Sequence, residues 1–411
     1  MSSAKPAHAP MTQFPVVDDC LQVGGVPLVE LARRVGRTPF YAYDRNLITQ
    51  RVELLRRHLP AGVHLHYAMK ANPMPEGVRH LAARVNGLDI ASAGELKVAL
   101  ASGMDPSEIS FAGPGKTDAE LSDAVAAKIV VNLESEREME RIAAVGARLR
   151  ARPRVAVRVN PDFELKSSGM KMGGGPKQFG VDAERVPEML GRMASLDLDF
   201  QGFHIFSGSQ NLRADAIAEA QAKTIELAIR LAVDAPAPVR LLNIGGGFGI
   251  PYFPGERPLD IGAVGANLAR LLEGIERRLP QAKIVIELGR YLVGEAGIYV
   301  CRVIDRKVSR GHVFLVTDGG LHHHLAASGN FGQVIRKNYP VIVGNKVSGR
   351  SRERASVVGP LCTPLDLLAD DMEMAKADVD DLIVVFQSGA YGLTASPTAF
   401  LSYPALAEVL L

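Results

Sequence analysis

Three features are scarce in this sequence, and each absence excludes a class of protein. The 411 residues include only three cysteines, Cys20, Cys301 and Cys362. They lie too far apart to predict a disulfide framework or a zinc site, so a reducing cytoplasm is expected. A formal net charge of +2 gives no field that would attract nucleic acid or an anionic membrane. No apolar run reaches the roughly 18 residues that a membrane span requires.

The length and composition favour two domains. A chain of 411 residues with 47% hydrophobic residues exceeds what one core usually supports and supplies material for two. The opening residues, MSSAKPAHAPMTQFP, lack the apolar core of a signal peptide and are typical of a disordered tail.

Eight short apolar runs recur between residues 60 and 290, with amphipathic helical patterns between them. The runs are HLHYAMKA, GLDIAS, ISFAG, KIVVN, RVAVRVN, FQGFHIF, LLNIGGGF and KIVIELGR. Repeated βα units of this kind predict a parallel sheet, and eight of them predict a TIM (β/α)8 barrel, which we place at residues 39–290. Residues 163–179, rich in Gly, Lys and Met, have no apolar period and predict a long loop after the fifth strand.

The residue pattern changes after about Tyr291 to alternating β-branched segments such as GIYVCRVIDRKVS and DLIVVFQSG. This pattern predicts an antiparallel β domain at residues 291–411. Residues 1–38 are predicted to form a tail and strands that contribute to the same domain.

Lys70 follows a short apolar run in the segment YAMKANP. The run from Val63 to Ala68 is typical of a buried strand, and Asn72-Pro73 is a turn signal that stops it. The ammonium of Lys70 would then lie at the carboxyl end of a barrel strand, where TIM-barrel enzymes carry their active sites. A lysine there suggests a Schiff base, and a solvated surface lysine is the alternative.

Glu287 lies inside the apolar run KIVIELGR. A carboxylate in that setting must be paired to remain charged, and a protonated pyridine nitrogen would be a suitable partner. A salt bridge to Arg158 or Arg290 is the alternative. On the sixth strand His204 could stack its flat imidazole on a planar cofactor, whereas a core histidine with satisfied hydrogen bonds is the alternative.

Two glycine-containing turns follow the last two barrel strands. In NIGGGFG, Gly246 and Gly247 expose backbone N–H groups and let a phosphate approach closely. In ELGR, Gly289 adds another close approach with the cation of Arg290 beside it. Phosphate sites built from these two loops are common in TIM barrels, although tight turns also explain such glycines. Lysine, carboxylate, imidazole and glycines together describe a site for pyridoxal 5′-phosphate (PLP), an electron sink for carbanions.

The chain resembles the fold type III PLP-dependent decarboxylases, which include diaminopimelate, ornithine and arginine decarboxylases. The resemblance runs from Phe40 onward through YAMKAN, LDIASAGEL, HI…GSQ, NIGGGFG, ELGR, GPLC and SGAYG, in the family's order. It implies an alanine-racemase-like barrel followed by a β domain. GPLCTPLD and SGAYGLTASPTAFLSYP are most similar to a branch with the butirosin-pathway glutamyl-carrier-protein decarboxylase and the exosortase A system-associated decarboxylases.

The resemblance also implies residue roles. Lys70 would form the internal aldimine, His204 would stack on the ring and Glu287 would hold the pyridinium proton. The phosphate or substrate would be surrounded by Ser209, Gly246, Gly247, Gly289, Arg290 and Tyr391. Family members work as head-to-tail dimers, in which Cys362 and Tyr391 would complete the neighbour's site. The Cys362 thiol would return a proton to Cα, and a small buried core residue is its alternative reading.

Departures from the family pattern point to the substrate. Diamino-acid decarboxylases of the family usually place an acid directly after the cysteine, where it pairs with the distal ammonium, but Thr363 stands here. Diaminopimelate decarboxylases also carry an Arg and a Tyr four apart for the distal carboxylate, whereas Arg336 and Tyr339 are differently spaced. HIFSGSQ is two residues longer than HIGSQ, and ELGR replaces EPGR. An aminoacyl group on a carrier protein is therefore the expected substrate, and a free small-molecule amino acid is the other possibility.

Three further functions remain as alternatives. Diaminopimelate decarboxylation is the second expectation, and racemisation with the same cofactor is a third. A non-catalytic regulatory paralogue is disfavoured by the retention of Lys70, Glu287 and Cys362. No metal is expected at His322–His324, because adjacent side chains do not readily converge on one ion.

Overall fold

The structure is a computed structural model that describes residues 8–164, 170–171, 173–331, 333 and 336–411. The helices are α1 Leu28–Val35, α2 Arg45–His58, α3 Pro75–Ala82, α4 Ala93–Ala101, α5 Asp118–Ala126, α6 Glu136–Leu149, α7 Val186–Met193, α8 Ala214–Leu231, α9 Ile261–Arg278 and α10 Arg290–Val293. Within the described residues, none of the helices has both the length and the hydropathy to cross a membrane.

The strands are β1 Val16–Val17, β2 Cys20–Val23, β3 Val26–Pro27, β4 Phe40–Tyr43, β5 Val63–Ala68, β6 Gly87–Ile90, β7 Ile109–Phe111, β8 Val130–Leu133, β9 Arg154–Asn160, β10 Met170–Lys171, β11 Val181–Asp182, β12 Asp199–Ile205, β13 Gly208–Ser209, β14 Leu241–Gly246, β15 Lys283–Leu288, β16 Gly297–Ser309, β17 His312–Thr317, β18 Val341–Val343, β19 Arg352–Val358, β20 Leu367–Ala375, β21 Leu382–Val385 and β22 Ala407–Leu410.

The chain divides into two compact units. We call Arg51–Ile250 with Pro258–Leu292 the barrel unit, and the residues up to Gln50 with Pro251–Arg257 and Val293–Leu411 the β unit.

The barrel unit is a closed parallel barrel, as its sequence predicts. All eight apolar runs form strands, hydrogen-bonded in the order β5-β6-β7-β8-β9-β12-β14-β15. The ring closes where β15 pairs with β5, from Ile284 opposite Val63 to Leu288 opposite Tyr67. Parallel pairing directs the carboxyl ends of all eight strands to one rim, so side chains that follow different strands can meet there.

The helices between the strands begin at sequence-encoded caps. Ser92 accepts a hydrogen bond from the backbone N–H of Glu95 at the start of α4. Thr117 and Glu120 form a reciprocal capping box at the start of α5. Such caps satisfy backbone donors that the first helical turn leaves without partners. They therefore fix where each helix begins after its strand.

The loop predicted at residues 163–179 lies partly outside the described residues, which omit 165–169 and 172. In the described part, β10 pairs antiparallel with β13, which places Met170 opposite Ser209. Val181 then begins β11 and pairs parallel with β9.

The β unit is built around the long strand β16. Its main sheet has the order β18-β21-β16-β17-β19-β20, and β4 pairs with both β16 and β22. Most pairs are antiparallel, as predicted, but β17–β19 and β22–β4 are parallel. Alternating β-branched residues predict a strand and do not encode the direction of its partner, so the sequence pattern missed these two pairs.

The N-terminal strands belong to the β unit, as predicted, but the sequence did not indicate which strands they pair with. β1, β2 and β3 make a separate three-stranded sheet. Phe14, Leu21 and Leu28 of this region pack with Val300 and Val384 in one buried cluster.

The predicted domain boundaries at residues 39 and 290 need correction. The segment Phe40–Tyr43 is buried at all four positions and pairs with two strands of the β unit, so it does not begin the barrel. The β unit extends to Gln50 and also includes Pro251–Arg257, and the barrel unit ends at Leu292. The eight predicted barrel strands begin only after residue 60, and the sequence pattern does not tell which domain the short apolar segment before them joins, so the first boundary was set too early.

The three consecutive histidines are buried in the β unit. His324 Nε2 lies 2.9 Å from the Ser388 hydroxyl, and the His323 carbonyl accepts a hydrogen bond from Tyr41. His322 packs on the Tyr403 ring, with 4.6 Å between ring centroids. Burial lowers the pKa of His322 to about 4 and that of His323 and His324 to about 3, so all three are neutral at neutral pH. The described residues contain no cluster of His, Cys, Asp or Glu that could hold a metal ion.

Candidate active site

Lys70 follows β5 at the barrel rim. The strand ends at Ala68, and Lys70 lies in the 3-10 turn Met69–Ala71. Asn72 fixes this turn, because its carbonyl accepts a hydrogen bond from the Tyr67 hydroxyl at 2.7 Å and its side chain accepts one from the Met74 N–H at 3.1 Å. The Lys70 side chain remains 46% exposed. The local sequence therefore presents an amine at the open end of the barrel.

Glu287 is the buried acid beside this lysine. Its Oε1 lies 3.7 Å from Lys70 Nζ, and its Oε2 lies 3.1 Å from His204 Nε2. Burial opposes ionisation of the carboxyl, but Lys70, the His204 hydrogen bond and Arg158 together hold its pKa well below the usual range. Glu287 is therefore a fixed negative charge inside the barrel rim.

His204 lies near the end of β12, which is two strands away from β15 in the barrel. Its side chain is buried, and its Nδ1 has no hydrogen-bond partner among the described residues. The imidazole thus meets the Glu287 carboxylate through one nitrogen only. Its proposed stacking on a cofactor ring stays a prediction.

The glycine turn, Gly245–Gly247, lies at the end of β14 and forms a cradle at the same rim. Gly245 and Gly247 have left-handed backbones, with φ of +69° and +70°. A Cβ at Gly246 would overlap the Glu287 carbonyl, and one at Gly247 would overlap the Gly208 carbonyl. Only glycine fits both close approaches and the left-handed angle. A small pocket opens here, lined by residues that include Ser207, Gly208 and Asn211 with Gly245–Gly247.

The remaining phosphate candidates of the barrel unit lie on β13 and directly after β15. Gly289 directly follows β15, and a Cβ there would lie 3.0 Å from the Ala71 Cβ. Arg290 begins the short helix α10. Ser209 lies on β13, where it pairs with Met170. Eight of the ten predicted site residues thus belong to the barrel unit.

A buried ion-pair network beside the site was missed by the sequence reading. Arg158 donates to Glu134 Oε1 at 2.6 Å, so its partner is not Glu287. Glu134 Oε2 accepts from the Gly180 N–H at 2.8 Å, and Arg158 lies 4.8 Å from the Phe179 ring centroid. Burial opposes ionisation of Glu134, but Arg158 lowers its pKa overall. The charged Arg inside the run RVAVRVN was the signal that could have revealed this network.

A second set of missed residues links four consecutive strands inside the barrel. His66 Nδ1 lies 3.3 Å from Asp89 Oδ1, and the Ser110 hydroxyl donates to the same oxygen. Asn132 in turn donates to Ser110 at 3.2 Å. Each of these polar residues interrupts an apolar strand, and that interruption marks the polar layer.

The β unit carries the other two predicted residues. Cys362 is exposed in the loop between β19 and β20, which favours the loop reading over a core cysteine. Asp366 holds this loop, because its two carboxylate oxygens accept the N–H groups of Leu321 at 2.6 Å and Leu361 at 2.8 Å. Tyr391 has a left-handed backbone with φ of +53°.

Comparison with known proteins identifies the family. A model described as the pyridoxal binding domain of pyridoxal-dependent decarboxylases matches residues 45–294. The L-glutamyl-[BtrI acyl-carrier protein] decarboxylase of Niallia circulans is 38% identical over 379 residues, covering 91% of this chain and 88% of that protein. The diaminopimelate decarboxylase of Aquifex aeolicus is 34% identical over 399 residues, covering 96% and 91%.

The chain belongs to the pyridoxal-dependent decarboxylases. Among solved structures, the diaminopimelate decarboxylase of Helicobacter pylori complexed with L-lysine matches with a TM-score of 0.81 and 27% identity, covering 93% of this chain and 94% of that one. The predicted family, fold class, cofactor and reaction class, a carbon–carbon lyase, are confirmed.

The residues of this decarboxylase fit PLP. The Lys70 amine, the Glu287 carboxylate and the glycine cradle lie at one barrel rim, and a side chain at Gly246 or Gly247 would fill that cradle. When bound, the cofactor accepts the electron pair left when an α-carboxylate departs. The fixed negative charge of Glu287 suits a protonated ring nitrogen, which strengthens that electron sink.

We predict that Glu287→Gln retains bound cofactor but loses turnover. The amide keeps the shape of the side chain and cannot hold a proton on the ring nitrogen. We expect kcat to fall at least about a hundredfold, the scale of one lost electrostatic contact to a reacting centre. Steady-state CO₂ release and cofactor absorbance on the same sample measure both quantities. A variant with wild-type kcat and full cofactor content would contradict the role of Glu287.

Proposed function

We propose that the enzyme decarboxylates a glutamyl-like group held on a carrier protein as a thioester of its distal carboxyl, which leaves the α-carboxylate free to depart as CO₂. The observation that carries this proposal is the Cys362 loop, where Thr363 stands in place of an acid and the carboxylate of Asp366 is already bound to two backbone N–H groups. The carrier-protein decarboxylase of Niallia circulans, whose name states such a substrate, supports it.

Thr363 replaces the acid that diamino-acid decarboxylases place after the cysteine. Its backbone N–H donates to the Leu361 carbonyl at 2.8 Å, and its hydroxyl accepts from the Leu365 N–H at 3.3 Å. The next acid along the chain, Asp366, is buried and binds two backbone N–H groups. Neither residue is arranged to pair with a substrate ammonium.

Arg336 and Tyr339 also have structural partners within the β unit. Arg336 donates to the carbonyls of Ser328 at 3.0 Å and Leu367 at 2.8 Å. Tyr339 is buried, and its ring centroid lies 4.7 Å from that of Tyr252. These contacts argue against their use for a distal carboxylate, so diaminopimelate fits this chain less well. It remains the second candidate because the diaminopimelate decarboxylase of Aquifex aeolicus matches 96% of the chain at 34% identity.

The proposed roles divide between two groups of residues. Lys70 would carry the cofactor, Glu287 would face its ring nitrogen, and His204 would stack on the ring. The phosphate or substrate would be held by Ser209, Gly246, Gly247, Gly289, Arg290 and Tyr391. The bond from Cα to the carboxylate breaks, CO₂ leaves, and the Cys362 thiol donates the proton that replaces it on Cα.

A substrate panel tests this proposal. We expect CO₂ release from a glutamyl thioester of a carrier protein, and at least about a hundredfold lower kcat/KM for free glutamate and meso-diaminopimelate, about 3 kcal/mol of discrimination. Mass spectrometry of the carrier and capture of CO₂ are the two measurements. Faster turnover of diaminopimelate would contradict the carrier-linked reading. The product mass separates decarboxylation, which removes CO₂, from racemisation, which leaves the mass unchanged.

We further propose that the enzyme is a homodimer with shared active sites. The β unit exposes apolar side chains near the Cys362 loop and Tyr391. Leu365 on that loop is 58% exposed, and Phe331, whose ring lies 6.4 Å from Tyr391, is 41% exposed. Leu401 is 50% exposed, two residues before Tyr403, whose hydroxyl donates to Pro360 at 3.4 Å. Exposed apolar groups of this kind mark interaction surfaces, and a second copy is the occupant that the family resemblance favours.

Mixing two inactive variants tests the shared site. Lys70→Ala and Cys362→Ala homodimers should each be inactive. If each site takes Lys70 from one subunit and Cys362 from the other, random mixed dimers restore about a quarter of wild-type activity. If the residues come from one subunit, the mixture stays inactive. Light scattering of the wild type supplies the oligomeric state.

We also propose a cytoplasmic location, supported by the three free cysteines, Cys20, Cys301 and Cys362. The association with exosortase A systems stays a prediction.

A further inference from the structure

The two extra residues of HIFSGSQ lie directly at the site. Strand β12 ends at Ile205, and Gly208–Ser209 form β13, so Phe206 and Ser207 bridge the two strands. The length difference from the family's HIGSQ is therefore absorbed at the barrel rim, beside the glycine turn. It places an aromatic ring at this rim.

Phe206 is held against glycine backbones. A Cβ on Gly245 would lie 2.8 Å from Phe206 Cδ2, and one on Gly173 would lie 3.3 Å from the Phe206 carbonyl oxygen. The side chain is half-buried. The absence of a side chain at Gly245 leaves room for the Phe206 ring, and Gly173 lies beside the Phe206 backbone.

The ring faces the cofactor lysine. Lys70 Nζ lies 5.7 Å from the Phe206 ring centroid and 3.7 Å from Glu287 Oε1. An ammonium within about 6 Å of an aromatic face is attracted by the ring quadrupole. The amine is therefore bracketed by a carboxylate and an aromatic ring. Phe206 also stays beside the amine when Glu287 faces the cofactor's ring nitrogen.

We propose that Phe206 is a positioning residue for Lys70, holding its amino group where the cofactor aldehyde is captured. A lysine side chain has several rotatable bonds, and that of Lys70 is 46% exposed. Ordering this side chain costs free energy at the moment of capture, and each neighbour that restricts its rotamers lowers the cost. The ring reduces that cost. This inference rests on the proposed role of Lys70.

Uptake of PLP by cofactor-free enzyme tests the proposal without relying on turnover. The second-order rate of uptake is followed by absorbance across a pH series for the wild type and Phe206→Leu. Leucine keeps apolar bulk and removes the aromatic face. Phe206→Tyr restores that face, and Phe206→Met repeats the test if the leucine variant fails to fold. Phe163→Leu is a matched control, because Phe163 lies at the same 5.7 Å from another lysine, Lys223.

The expected result has two parts. The aromatic face favours the charged amine, so without it the amine loses its proton at lower pH. The midpoint of the uptake curve should then move down by roughly half a pH unit in Phe206→Leu. The limiting rate at high pH should fall roughly two- to fivefold because the amine is less ordered. Phe206→Tyr and Phe163→Leu should match the wild type.

Two outcomes overturn different statements. If Phe206→Leu gives the wild-type midpoint and limiting rate, Phe206 does not position Lys70, and the proposed function stands. If Lys70→Ala takes up PLP with the same absorbance band as the wild type, the role of Lys70 fails and the inference fails with it.

Discussion

The buried negative charge of Glu287 is the constraint on which the rest of the active site depends. A carboxylate inside an apolar strand end remains ionised only if neighbouring groups offset its burial. Here Lys70, just after β5, and His204, on β12, do so at 3.7 Å and 3.1 Å. The Glu287 carboxylate thus contacts side chains that lie on or beside two other barrel strands. When the cofactor's ring nitrogen faces the same carboxylate, it enters an environment already arranged for a cation.

Close backbone approach is the second condition for this site. The glycine turn after β14 passes so near the Glu287 and Gly208 carbonyls that side chains at Gly246 and Gly247 cannot be accommodated. The same absence of side chains leaves room for the Phe206 ring beside Gly245. The proposed phosphate contacts and the proposed placement of Lys70 would therefore both depend on this glycine segment.

Much of this arrangement could be predicted from local sequence patterns. Each of the eight apolar runs became a barrel strand, because burial on both faces demands continuous apolar residues. The turn signal Asn72-Pro73 placed Lys70 at a strand end correctly. Strand pairing was harder: β4 has the same buried character as a barrel strand, and nothing local tells which sheet it joins. The parallel pairs of the β unit were missed for the same reason.

Contacts between segments that are distant in sequence could not be predicted from local sequence patterns. The pairing of Arg158 with Glu134 depends on the register of β9 beside β8 and on the loop that brings the Gly180 N–H to the same carboxylate. The length difference in HIFSGSQ was visible, but only the folded chain places Phe206 against Lys70.

The most direct test of the account is to locate the cofactor covalently. Borohydride reduction of the PLP-loaded enzyme, followed by digestion and mass spectrometry, identifies the lysine that carries the pyridoxyl phosphate mass. If Lys70 carries the cofactor, a single adduct on Lys70 is expected. An adduct on another lysine, with Lys70 unmodified, would contradict the assignment of the barrel rim as the active site.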